Sequence, residues 1–269
     1  MRRSYRVLVI LIALVLGAAV VRVAEWRAQA QERFALPQNA GRPIVLAGLA
    51  QETDMSRPSL QLRTVVSRAW SDAIATWKLQ LSGKGDQIES IQVRFISRLS
   101  PTNCYGLFAG QGPVYCSGNR TVFVGTQVAN RMMSQFGPQA EAGITFLIGH
   151  EFGHHVQNLL GRFRWLRGMV TMAPAGASNL IRRFELEADC LAGVWMHNSR
   201  TWADSNRFKS DLLAFVKTIG DDSIAGGEAT PGVSARSVHG TSEQRARWFS
   251  QGLKSGDAKA CNTFRLANP

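Results

Sequence analysis

The stretch Ile148-Gly149-His150-Glu151-Phe152-Gly153-His154-His155-Val156 decides how the rest of this chain is interpreted. It contains the pattern HExxH, in which two histidines stand four positions apart. On an α-helix these residues lie about 40° apart around the axis, so both imidazoles can reach one metal ion. His155 points to another side and is not expected to be a ligand. With five His in the chain, chance would produce HExxH only about 0.003 times.

These residue types indicate one catalytic Zn²⁺. Imidazole nitrogen is a common zinc ligand, so His150 and His154 are predicted to bind the ion. Glu151 lies about 100° from His150 around the helix, so it flanks the metal instead of binding it. Its carboxylate can take a proton from an activated water and pass it to a leaving amine. A buried helix is expected because the motif lies among apolar residues, namely Ile144, Phe146, Leu147, Ile148, Phe152 and Val156.

A third metal ligand is expected from a second helix. The residues after His154 do not follow HExxHxxGxxH, which excludes the metzincin pattern. The segment 184–190 (FELEADC) places Glu185 and Asp189 one turn apart on one helix face. One carboxylate is expected on the metal and the other on the outer nitrogen of a ligand histidine. Glu187 lies about 200° from Glu185 and is expected to face away, so its loss should leave zinc binding unchanged.

His239 has two open interpretations. It could stabilise the oxyanion of a tetrahedral intermediate beside the metal, or it could be a structural histidine at the entrance of the last helix. Tyr105 and Tyr115 are weaker choices for the oxyanion role. His197 is expected to be structural.

The hydrophobic periodicity predicts a helix-dominated α+β fold with a small antiparallel sheet. Residues 90–99 alternate as a strand, and 114–124 form a hairpin. Its return strand, 121–125, is expected at the sheet edge, where it could hold an extended substrate. The expected helices cover 62–81, a short stretch through 132–133, 138–160, 179–197, 204–219, and a last helix from 241 with a capping box.

The four cysteines allow three pairings. The hairpin favours Cys104–Cys116, which leaves Cys190–Cys261 to join the second helix to the C-terminal tail. Free buried thiols are the alternative. A four-cysteine zinc site is disfavoured because the sequence contains no CxxC pair.

The N-terminus has the pattern of an export or anchoring segment. Arg2, Arg3 and Arg6 precede the uncharged run 7–21. An uncleaved single-pass anchor within 1–30 is favoured, and a signal peptide cleaved near Ala30 is the alternative. Residues 31–59 are predicted to be a linker and 60–269 the catalytic domain, which would lie in the periplasm or otherwise outside the cytoplasm of a bacterial cell envelope.

The composition excludes several other classes. A chain of 269 residues with 45% hydrophobic and 19% charged residues is not wholly disordered. One apolar run is too little for a multi-span membrane protein, and no internal repeat is present. The net charge of +12 attracts polyanions, but the arginines are scattered and no recognisable nucleic-acid motif accompanies them. No specific nucleic acid is therefore expected.

Three segments resemble a known family. HEFGHHVQNLLG, ELEADCLAGVWMH and HGTSEQRARWF are similar to segments of the YpfJ-like family of neutral zinc metallopeptidases, in the zincin superfamily. The similarity extends in order over 70–264 and includes GPVYC at 112–116 and IGDD at 219–222. The resemblance implies a zincin-like fold, one catalytic zinc, an exported or membrane-anchored location, and hydrolysis of peptide or protein substrates. It assigns His150, His154 and Glu185 as ligands and Glu151 as the base.

The segment 162–183 departs from the family pattern, since it is basic and apolar where a more acidic stretch is expected. It could bind a polyanion. The alternative to an enzyme is a zinc-containing binding or scaffold protein of the envelope with little turnover. The intact Glu151 argues against that alternative, because a structural zinc site needs no base.

Overall fold

The computed structural model describes residues 56–81, 83–97, 112–224 and 238–265, and helices form most of these ranges. The predicted anchor at 1–30 lies outside them, as does most of the predicted linker. No helix within the described ranges is long and apolar enough to cross a bilayer. The helix-dominated α+β class is confirmed for the part of the chain that the structure describes.

The first helix begins directly after a serine that caps it. Helix α1 (Leu60–Gln80) begins where the Ser59 hydroxyl accepts a hydrogen bond from the Leu62 N–H at 3.1 Å, the usual role of serine at a helix start. The short helix α2 (Gly85–Glu89) leads into the sheet.

The sheet has three strands, β1 (Gln92–Ile96), β2 (Val114–Cys116) and β3 (Thr121–Gly125), in the order β1-β3-β2. The β2–β3 hairpin is antiparallel, as predicted, but β1 runs parallel to β3. The expected antiparallel sheet is therefore mixed. The placement of β3 at the edge is also wrong, because β3 is the central strand. Alternation identifies a strand and its buried face, but it does not encode the direction of the neighbouring strand.

Helix α3 (Thr126–Phe136) covers the predicted short helix, and α4 (Pro138–Leu159) carries HExxH. Pro138 suits the first turn of α4 because that position needs no N–H donor. Helix α5 (Arg162–Met172) was not predicted. The remaining helices are α6 (Ala177–Asn198), α7 (Asn206–Val216), α8 (Asp221–Ile224) and α9 (Ser242–Ser255), with one-turn 3₁₀ helices at 174–176, 258–261 and 263–265.

Helix α4 runs through the core, and glycines allow its neighbours to approach closely. A Cβ added to Gly153 would lie 2.8 Å from the Ala188 carbonyl oxygen, and one added to Gly149 would lie 2.6 Å from the Trp195 ring. Both partners belong to α6. Because atoms cannot approach so closely, these glycines set the short distance between the two helices.

Helix α9 packs on the other side of α6 and begins with the predicted capping box. The Thr241 hydroxyl accepts from the Gln244 N–H, and the Gln244 side chain accepts from the Thr241 N–H. The predicted disulfide Cys190–Cys261 is confirmed, and it ties α6 to the chain beyond α9. Cys104 lies outside the described residues, so the pairing Cys104–Cys116 stays a prediction.

Candidate metal centre

Three side chains predicted as ligands meet between α4 and α6. The Nε2 atoms of His150 and His154 lie 3.1 Å and 3.3 Å from the same oxygen, Oε2 of Glu185. One ligand atom of each residue lies within 4.8 Å of those of the other two. Two imidazole nitrogens and a carboxylate oxygen form a donor set that suits zinc, with further positions left for water or substrate.

Asp189 and Arg245 orient His150. The His150 Nδ1 lies 2.7 Å from Oδ1 of Asp189. Since an ionised carboxylate only accepts hydrogen bonds, Nδ1 must carry a proton, which leaves Nε2 as the nitrogen available to a metal ion. Arg245 donates from Nε and Nη2 to both Asp189 oxygens at 2.9 Å. The prediction that Asp189 accepts from a ligand histidine therefore agrees with this geometry.

A second chain of contacts orients His154. Its Nδ1 lies 2.7 Å from Oε1 of Gln157. The Gln157 amide nitrogen donates to the Phe184 carbonyl at 2.8 Å and to Oε2 of Glu187 at 2.9 Å, which fixes the orientation of the amide. Oε1 of Gln157 therefore accepts from His154. The other Glu187 oxygen accepts from Arg162 at 2.9 Å.

The sequence pattern alone does not reveal the roles of Gln157 and Glu187 beside His154. Glu187 lies outside the group of three ligand atoms, but the prediction that it faces away from the HExxH helix is wrong, because its buried carboxylate accepts a hydrogen bond from Gln157 of that helix. The available signal was the position of Gln157, one turn after His154 on the same helix. Arg245 had no such local signal.

The charges around the group of three are strongly coupled. Burial alone would lower the pKa of His150, but the hydrogen bond and charge of Asp189, together with Glu185, raise it to about 10. Burial alone would raise the pKa of Glu185, but His154 and His150 hold it well below its usual range. Burial alone would also raise the pKa of Asp189, but the charge of Arg245 and the hydrogen bond with His150 outweigh burial and lower that pKa.

Glu151 is buried beside the ligand histidines. Its Oε2 accepts a hydrogen bond from the backbone N–H of Tyr115 in β2 at 2.6 Å. Burial raises the pKa of Glu151, and this effect exceeds the opposing charges of His150 and His154. The carboxylate is thereby held in place next to two ligands and made more basic, which are two properties of a general base.

His155 faces away from the group of three, as predicted. Its Nε2 lies 3.1 Å from the Gln87 carbonyl, and its Nδ1 lies 2.9 Å from the Tyr115 hydroxyl. Burial lowers the pKa of His155 to about 4. Asn158 donates to the Tyr115 hydroxyl at 2.8 Å, so that hydroxyl is engaged in packing, which weakens Tyr115 as an oxyanion donor.

His239 stays open between its two roles. Its ring nitrogen Nδ1 lies 3.2 Å from Asp221, whose carboxylate also accepts from the His239 backbone N–H. The side chain is half exposed. Tyr105 lies outside the described residues. His197 contacts the Leu253 carbonyl at 2.8 Å, which fits the structural role expected for it.

The described fold and this group of residues define a class: a helix-dominated α+β protein in which an HExxH helix and a second helix bring two histidines and a glutamate to one point. The chain belongs to the family described as "Putative neutral zinc metallopeptidase", whose model matches residues 5–264.

Relatives of this chain occur in distant bacteria. It is 33% identical over 194 residues to the "Uncharacterized protein YpfJ" of Escherichia coli strain K12, covering 70% of this chain and 67% of the relative. It is 32% identical over 226 residues to the "Uncharacterized protein Rv2575" of Mycobacterium tuberculosis strain H37Rv, covering 78% and 72%. No solved structure is significantly similar to this chain.

Proposed function

We propose that this protein is an exported, membrane-anchored zinc metallopeptidase that hydrolyses peptide bonds with a metal-activated water and with Glu151 as general base. The observation that carries the proposal is the convergence of His150, His154 and Glu185 beside the buried Glu151. A purely structural zinc site needs no base, and Glu151, unlike Asp189 and Glu187, has no orienting contact to a ligand histidine or to Gln157 among the described hydrogen bonds.

His150, His154 and Glu185 would hold the ion, and Asp189 and Gln157 would keep both rings in the tautomer that ligation requires. Bound zinc would supply Lewis acidity, polarising a water molecule and the scissile carbonyl. Glu151 would accept the proton of that water and return it to the leaving amine. The Tyr115 N–H keeps the carboxylate in place for both transfers.

The substrate would be an extended peptide. Edge strands bind extended peptides through their free backbone groups. Since β3 is central, the edge strand beside Glu151 is β2, which includes Tyr115. We therefore assign the substrate-holding role to the outward backbone groups of β2 other than the Tyr115 N–H, which is bonded to Glu151, instead of to β3.

Two features support a location in the bacterial envelope. The basic residues before the apolar run 7–21 have the pattern of an anchor, with cleavage near Ala30 as the alternative. The disulfide Cys190–Cys261 is of a kind that forms and persists in oxidising compartments. Fractionation of cells that express the full chain, with N-terminal sequencing of the product, distinguishes an anchor from a cleaved signal.

The test of catalysis uses the full-length protein. We expect about one zinc per chain by elemental analysis and cleavage of a broad peptide library. Zinc binding without cleavage of any peptide would favour the alternative, a zinc-containing scaffold protein. Absence of zinc binding would contradict both functions.

A further inference from the structure

The basic segment that catalysis does not use forms a surface beside the metal centre. We call the surface formed by residues 160–176, which include helix α5, the α5 face. Its first turn packs against the centre, because the Phe163 ring lies 6.1 Å from His154 and 4.7 Å from Phe184, centre to centre. Beyond that turn α5 faces outward, with Val170 its one buried residue.

The α5 face exposes large apolar side chains. Trp165 and Met172 are 38% and 74% exposed, and Leu160 is 49% exposed. These are three of the seven exposed large hydrophobic residues in the described part of the chain. Because Trp165 and Met172 are seven residues apart, they lie within about 20° on one side of the helix. Such clustering marks a surface that binds another surface.

The charge of the α5 face has one sign. Residues 160–176 contain three arginines and no acidic residue. Arg162 pairs with Glu187 inside the protein. Arg164 and Arg167 are exposed and form no ion pair within the described residues. On the helix, Arg164 lies about 100° and Arg167 about 160° from Trp165, so the two arginines occupy a different part of the exposed surface of α5 from the stripe of Trp165 and Met172.

We propose that the α5 face docks on an anionic lipid bilayer. Exposed arginines and a tryptophan next to apolar side chains are the composition of helices that lie in the headgroup region. A helix has no free backbone edge for an extended peptide, so the face suits a lipid surface better than a peptide substrate. The absence of acidic residues complements the negative charge of an anionic leaflet.

The anchor predicted from the N-terminal sequence is consistent with this partner. A predicted anchor within 1–30 would keep the domain near the bilayer. Docking of the α5 face would then hold the metal centre beside the lipid headgroups, since Phe163 contacts His154.

The test measures amide hydrogen exchange of 160–176 in the full-length protein. The protein is combined with vesicles of phosphatidylcholine alone, or with about one third phosphatidylglycerol. We expect slower exchange in this segment with the anionic vesicles. Each arginine near an anionic surface is worth about fivefold in a binding equilibrium, so the double change Arg164→Glu and Arg167→Glu should reduce docking about 25-fold or more.

A matched control changes two exposed arginines on other helices, Arg63→Glu and Arg247→Glu, and should keep the lipid-dependent protection. Equal exchange with both kinds of vesicle would overturn the proposal. The same conclusion follows if both double variants lose protection equally. Protection by an acidic peptide, but not by anionic lipid, would assign the face to peptide binding and would also overturn it. Zinc content, measured in parallel, tests the metal centre separately from docking.

Discussion

Replacement of Glu187 by alanine tests whether the second chain of contacts supports the metal centre. Helical geometry alone predicts no effect on zinc, because Glu187 is not a ligand. The structure predicts weaker zinc binding, because Glu187 is one of two acceptors that hold the Gln157 amide, and Gln157 holds the His154 ring. The Phe184 carbonyl remains as the other acceptor, so the loss should be partial.

The size of the effect can be worked from these contacts. Groups that orient a ligand histidine typically account for about 10–100-fold in metal affinity. Glu187 is one hydrogen bond further from the ligand His154 than Gln157 is. We therefore expect zinc affinity to fall about tenfold in Glu187→Ala and about 100-fold in Gln157→Leu. Loss of the hydrogen bonds to the Glu187 carboxylate should also reduce the free energy of unfolding by about 2 kcal/mol.

The assay is competition for zinc between the full-length protein and a chelator of known affinity, at fixed pH. Glu89→Ala is the control, because among the described residues the Glu89 carboxylate forms one ion pair, exposed, with Lys78, and such pairs contribute little. The cobalt-substituted protein gives a second readout, since its visible spectrum reports ligand geometry separately from overall stability. Zinc affinity equal to wild type in both Glu187→Ala and Gln157→Leu would refute the reasoning.

Three further outcomes are expected. Glu151→Gln should abolish hydrolysis yet retain zinc, measured by peptide cleavage and elemental analysis, because a carboxamide cannot accept the proton; cleavage at the wild-type rate would exclude this base. Glu185→Ala should lose most of the zinc, whereas Asp189→Asn should weaken binding about 10–100-fold; full zinc content in Glu185→Ala would disprove its role as ligand. Reduction of Cys190–Cys261 should lower the free energy of unfolding by about 4 kcal/mol, measured with denaturant; an unchanged midpoint would contradict that.

Local geometry made the inner part of the site predictable. His150 and His154 are four residues apart, as are Glu185 and Asp189, and a helix converts that spacing into a shared face without any knowledge of the fold. Most of the long helices were predictable from apolar periodicity, including α9 with its capping box, but α5 was not. The pairing Cys190–Cys261 followed from the small number of alternatives.

Tertiary contacts were not predictable in the same way. Arg245 reaches Asp189 from 56 positions away, and nothing in its own helix indicates that partner. The central position of β3 depends on a parallel neighbour that alternation does not specify. Glu187 meets Gln157 because α4 and α6 approach closely at Gly153, a distance that becomes known only when both helices are placed.

Because the partners of α6 lie far along the chain from it, they are synthesised well after α6 itself. A ribosome completes α6 well before Arg245, and Cys261 follows Cys190 by 71 residues. Until Arg245 emerges, Asp189 lacks the guanidinium that offsets its burial, and an unpaired carboxylate is costly to bury. The nascent chain therefore cannot enclose His150 in its final setting. The proposed peptidase would therefore complete its metal centre only after the segment that carries Arg245 has joined the fold.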